Sequence, residues 1–175
     1  MVLLPLIYVA FVLLVGYGLY WHITEIHVIM QAAGAEIMIA TADVSDVQAM
    51  RSALKATQER FGALHGVIHA AGVAGGGIVQ LKTREVATQV MAPKVQGTLI
   101  LDALLDTTQL DFMIVCSSLA ALLGGAGQVD YCAANVFLDA FAQAAVRRSA
   151  GRVLSINWDR WRETGMAVRT AVPAG

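Results

Sequence analysis

Ser118, Tyr131 and Asn135 have the side-chain types and the spacing to act together on one polar bond. Ser118 closes an apolar run, Tyr131 follows thirteen residues later, and Asn135 lies four residues beyond it, on the same face of a helix. A serine at a strand end and a tyrosine in the first turn of the next helix can converge on a single carbonyl oxygen. When hydride reaches a ketone carbon, that oxygen becomes an alkoxide, which needs hydrogen bonds and a proton. Ser118 can donate a hydrogen bond to it, and Tyr131 can deliver its phenolic proton as general acid. A free phenol releases its proton only near pH 10, so the role calls for a nearby cation. Lys94, from the preceding helical stretch, is the candidate. Taken singly, each residue has an ordinary explanation: Ser118 as a helix N-cap, Tyr131, Lys94 and Asn135 as solvated side chains. The joint spacing selects the catalytic reading.

These residues must be carried by elements that bring them to one end of the fold. From Gln31 onward strand and helix signals alternate. Glu36 to Thr41 is a short apolar run that suits a buried strand. Asp43, Ser45 and Asp46 then open a helix, with Ser45 and Gln48 spaced as a capping box and Gly62 closing it. A strand is expected from about Leu64 to His69, followed by the small residues Ala70-Ala71-Gly72 and a glycine loop, Gly75 to Gly77. A helical stretch then runs to about Leu105, with a break or kink expected at Pro93. Leu110 to Cys116 reads as a third strand, Gln128 to Arg148 as a helix and Arg152 to Asn157 as a fourth strand. That alternation predicts an α/β domain with a parallel sheet, whose ligands bind at the carboxyl ends of the strands. His69 to Gly72, Ser117-Ser118 and Asn157 fall there.

A net charge of −1 leaves no basic field for nucleic acid. Charged residues make up 14% of the chain, and none lies between Met1 and Thr24. Residues 1–30 therefore stand apart from a domain over 31–175. The apolar run at 1–20 is long enough to span a bilayer as a helix, yet has no Lys or Arg flank. It reads as a membrane anchor, as buried strands, or as sequence foreign to the domain. Cys116 and Cys132 lack partners at metal-ligand spacing, so no metal is expected; two buried thiols suit a reducing cytoplasm. The first 20 residues keep membrane attachment as the alternative location.

Several segments carry a resemblance. Gly66-Val-Ile-His-Ala-Ala-Gly-Val73, Ala92-Pro-Lys-Val-Gln-Gly97, Cys116-Ser-Ser-Leu-Ala120, Gly127-Gln-Val-Asp-Tyr-Cys-Ala-Ala-Asn135 and Ile156-Asn-Trp-Asp159 look like the ketoreductase domains of modular polyketide synthases. These belong to the short-chain dehydrogenase superfamily. The resemblance runs from about Gln31 to Ala174 and implies a Rossmann-like parallel sheet with flanking helices. The implied activity is NADPH-dependent reduction of a β-ketoacyl thioester held on an acyl carrier protein, beside other polyketide synthase domains. Ordinary short-chain dehydrogenases place lysine four residues after the tyrosine; here that position is Asn135, and Lys94 stands where asparagine usually lies. The exchange is typical of the ketoreductase subfamily. The resemblance also implies that Asp43 and Val44 flank the adenine and that Ala70, Ala71 and Gly72 pass behind the cofactor ribose.

The sequence departs from that family at its beginning. A glycine-rich turn of the form T-G-x-x-x-G-x-G, which lets a helix N-terminus approach the pyrophosphate, is missing, and no arginine precedes Arg51 to take the 2′-phosphate. The expected fold therefore lacks the usual first βαβ cofactor-binding unit, and the strand at Glu36 to Thr41 would be left without a partner. A fragment boundary or a coding-frame change near residues 28 to 31 would produce such a switch. Neither of the family's two markers of product stereochemistry is present: Ala74-Gly75-Gly76 and Leu123 stand at their positions.

Overall fold

The computed structural model describes Gly34 and residues 36–105, 110–147 and 152–160. Its centre is a parallel sheet of β1 (Gly66–His69), β2 (Phe112–Ser118) and β3 (Val153–Trp158), in that spatial order. Register pairs His69 with Val115 and Ser118 with Trp158, so the carboxyl ends of all three strands share one edge. The chain has the α/β architecture with a parallel sheet that its alternating pattern predicts, in the Rossmann-like form that the resemblance implies.

Helix α1 (Val47–Phe61) turns Met50 and Leu54 inward. Its N-cap is Asp46, whose carboxylate accepts from the Gln48 and Ala49 amides at 2.8 and 3.1 Å, and not the expected Ser45. Ser45 is instead held in the preceding turn, where its amide donates to Asp43 Oδ1 at 2.8 Å. Asp46 has the extended backbone an N-cap needs. Gly62 ends the helix at a φ of 81°, a conformation that favours glycine.

Helix α2 (Arg84–Leu104) begins at Thr83, whose hydroxyl accepts from the Val86 amide, and it runs unbroken through Pro93. The expected break is absent for a tertiary reason. Val90, Pro93, Lys94, Gly97, Thr98 and Leu101 form one buried stripe at helical spacing. Burying that stripe offsets the roughly 3 kcal/mol that an interior proline costs. After β2, a single turn, α3 (Ala120–Leu123), leads to α4 (Val129–Arg147), which packs over β2 and β3 and against α2.

The core lies where these surfaces meet, with Met50, Leu101, Met113 and Leu138 fully buried. Gly97 brings α2 close to Val44: a Cβ there would lie 2.8 Å from Val44 Cγ2. Residues 36–41 form no strand, and Ile39 is 56% exposed. A strand needs a neighbour for its amides and carbonyls. Among the described residues the sheet ends at β1, and this segment does not pair with it. Glu36 is tied instead to Arg60 of α1, 2.7 Å from its guanidinium.

Among the described residues no helix is long and apolar enough to cross a membrane. Residues 1–20, on which the expected anchor rests, lie outside those described.

Candidate active site

Ser118 is the last residue of β2, half-buried at the carboxyl edge of the sheet. Its hydroxyl accepts from the Ala120 amide at 3.2 Å and so caps α3. Tyr131 is the third residue of α4, also half-buried. Asn135, one turn later, is wholly buried; its amide nitrogen donates to the Tyr131 carbonyl at 2.7 Å, and its Oδ1 has no hydrogen-bond partner. The Ser117 hydroxyl donates to the Asn135 carbonyl at 3.2 Å, joining α4 to the end of β2.

Lys94 arrives from α2. It is 3% exposed, and its Nζ donates to the Cys116 carbonyl at 2.7 Å. Lys94 and Asn135, from two different helices, are thus tied to Cys116 and Ser117, the two residues before Ser118 at the end of β2. Among the described residues no hydrogen bond joins the Ser118, Tyr131 and Lys94 side chains to one another, so the arrangement is an open one.

Burial pushes the Lys94 ammonium down to about 8, with Cys116 and the Asp139 carboxylate pulling it partly back. Lys94 is therefore a cation at neutral pH that loses its charge as pH rises through about 8. Asp139 was not singled out by sequence reasoning. It accepts from the Ser155 hydroxyl at 2.5 Å and from the Asn157 amide at 3.1 Å, bracing β3 against α4. Its spacing, one turn beyond Asn135 and two beyond Tyr131, was the available signal.

His69 ends β1 with both ring nitrogens buried and unpartnered. Burial, then the Lys94 charge, push it down to about 4, with the nearby Pro93 carbonyl opposing them. It is neutral at physiological pH and is no acid there. The unfolded chain binds a proton between pH 6.5 and 4 that the native chain does not. This contribution to stability is full above pH 6.5 and is lost as pH falls towards 4, amounting to about 3 kcal/mol. Urea midpoints measured at pH 7 and pH 4.5 are expected to drop more steeply for the wild type than for His69→Gln. Equal drops would show that the histidine does not carry the acid sensitivity.

The remaining candidate positions are spread along the edge. Ala70 is exposed, Ala71 is 3% exposed and Gly72 half-buried, directly after β1. Ala70 and Gly72, with little or no side chain, leave the backbone after β1 open to close approach at the carboxyl edge of the sheet. Asp43 is exposed in the turn before α1, whereas the Val44 side chain is in the core against Gly97. Val44 therefore has only its backbone to offer a ligand.

The KR domain family matches residues 23–163 of this chain. Polyketide synthase PksL of Bacillus subtilis (strain 168) is 38% identical over 144 residues, covering 79% of this chain and 3% of its own length. Polyketide synthase PksM of the same organism is 42% identical over 135 residues, covering 77% of this chain and 3% of that protein. A solved ketoreductase domain from the bacillaene assembly line superposes with a TM-score of 0.76 at 38% identity, over 91% of this chain and 39% of that one. The chain thus spans a small fraction of these synthases and well under half of the solved domain. With the shared sheet, the buried Lys94 and the Ser118–Tyr131–Asn135 spacing, these likenesses place the chain in the ketoreductase (KR) domain family of polyketide synthases, within the short-chain dehydrogenase superfamily.

Proposed function

We propose that this chain reduces a β-ketoacyl thioester to the β-hydroxyacyl thioester in polyketide biosynthesis, with NADPH as the reductant. The observation that carries this reading is the buried Lys94, held on the Cys116 carbonyl two residues before Ser118, next to the α4 face that bears Tyr131 and Asn135. A nicotinamide cofactor, when bound, supplies the hydride that reaches the ketone carbon. Ser118 orients the carbonyl oxygen by donating a hydrogen bond, and Tyr131 gives its phenolic proton to that oxygen as the C–O π bond opens. The Lys94 ammonium supplies positive charge at the end of β2, and Asn135, buried with its amide nitrogen on the Tyr131 carbonyl, fixes the turn of α4 that carries Tyr131. The substrate would be presented on an acyl carrier protein, with other polyketide synthase domains as partners. Asp43, Ala70, Ala71 and Gly72 would line the cofactor's path along the sheet edge.

A second reading rests on a specific feature. The sequence holds no glycine-rich turn for the pyrophosphate. In that case the catalytic residues are inherited but idle. Charge-assisted hydrogen bonds are worth about 1.5–3 kcal/mol each, so losing two of them lowers NADPH affinity by at least about 100-fold. Titration followed by nicotinamide fluorescence, in parallel with the bacillaene domain, is expected to show that gap. Equal affinities would overturn the expectation. Turnover of a short β-ketoacyl thioester at saturating NADPH would support the reductase reading, and a folded chain without turnover would support the idle one.

A further inference from the structure

The glycine loop after β1 is fastened to the start of α4 by groups the proposed reaction does not use. Lys82 Nζ lies 2.6 Å from Asp130 Oδ2, with the two side chains 7% and 1% exposed. The same ammonium donates to the Gly76 carbonyl at 2.6 Å. The other Asp130 oxygen accepts from the Tyr131 amide at 2.9 Å. The Gly75 backbone lies against the same side chains: a Cβ on it would sit 2.7 Å from Asp130 Oδ1 and 3.0 Å from Tyr131 Cβ. Gly127 approaches the Gly77 carbonyl in the same way, with its would-be Cβ at 3.2 Å.

Stability alone does not explain this pair. Asp130 is in the first turn of α4, where the helix dipole already favours a carboxylate. Bringing a lysine from 48 residues away into a dry site desolvates both charges, and an apolar pair of similar volume would serve cohesion as well. What the ion pair supplies is a fixed geometry. Lys82 immediately precedes Thr83, the cap of α2, so the pair ties the beginning of the helix that carries Lys94 to the beginning of the helix that carries Tyr131. Between Lys82 and the glycines, Ile78 and Val79 are each 58% exposed and line an open groove with Gln80, Gly125, Gly127 and Val129, which lies two residues from Tyr131.

We propose that Lys82 and Asp130 are positioning residues whose buried ion pair holds the Gly75–Leu81 loop against the start of α4, so that the wall it forms beside Tyr131 keeps one shape for an acyl chain. The proposal rests on the reductase reading for its substrate, and on the geometry alone for the latch.

The test compares wild type, Lys82→Met, the charge-free pair K82M/D130N and the conservative Lys82→Arg in the full chain. Amide hydrogen exchange over residues 75–81 is expected to accelerate about 10-fold or more in the first two variants, with α1 and β2 unchanged and Lys82→Arg close to wild type. With a short β-ketoacyl thioester that carries no α-substituent, KM is expected to rise about 10-fold and kcat to stay within about 3-fold. Exchange that accelerates uniformly over all elements would reduce the pair to a structural brace and overturn the proposal. An unchanged KM beside a loosened loop would overturn it too. If the wild type shows no turnover, the reductase reading fails, while the local exchange result still decides whether the pair holds the loop.

Discussion

Tyr131→Phe is expected to lower kcat for a short β-ketoacyl thioester by about 10²- to 10⁴-fold at saturating NADPH, the range that a positioned general acid contributes. The substitution removes one oxygen from a half-buried side chain whose described hydrogen bonds run through its backbone, to Asp130 and Asn135. Stability should therefore change by no more than about 0.5 kcal/mol. NADPH affinity should also be preserved, which separates lost proton transfer from a lost site. A kcat within about 3-fold of wild type would move the proton donor elsewhere, and the reading of Ser118 and Lys94 as its partners would fall with it.

Lys94→Met is expected to act in opposite directions on stability and on activity. The folded-state value of about 8 lies below the ordinary lysine value of 10.5, chiefly through burial. Holding the charged form inside thus costs roughly 3 kcal/mol below pH 8. A methionine of similar length removes that cost and forfeits the hydrogen bond to the Cys116 carbonyl. The net result expected at pH 7 is a gain on the order of 1 kcal/mol. The sign reverses with pH: between about 8 and 10.5 the wild-type lysine sheds its proton in the native state first, so wild-type stability rises there and the advantage of the variant shrinks. Reduction should fall by about 100-fold or more. Wild-type activity itself should decline above about pH 8 as the cation is lost. Denaturation of both proteins at pH 7 and pH 9.5 tests this. A variant less stable than wild type at pH 7, with the same pH dependence, would mean that the lysine is not a strained buried cation.

Such a trade between cohesion and chemistry is characteristic of a site held together for its reaction. Lys94 and His69 are neighbours at the strand ends, and each is shifted first by burial. Only one of them is placed to work as a charge. His69 stays neutral because the Lys94 ammonium beside it adds to the cost of a second cation. That division of labour is not visible in the H-A-A-G segment, where a histidine beside small residues suits either role.

What the sequence determined by itself was local and periodic. Tyr131 and Asn135 share a helix face because four residues make about one turn, and the strands over 66–69, 112–118 and 153–158 follow from short apolar runs bounded by small residues. Their parallel order follows from the helices that separate them. The tertiary structure decided everything that depends on a partner far along the chain. Helix α2 persists through Pro93 because its buried stripe outweighs one missing hydrogen bond. Residues 36–41, apolar enough for a strand, form none, since a ladder requires a neighbouring strand and composition supplies only one side of it. Lys82 meets Asp130, and Asp139 meets Ser155 and Asn157, across separations that no local period encodes. Each of those pairings exists because folding removes water from between groups that the chain brings together only once its helices have packed on the sheet.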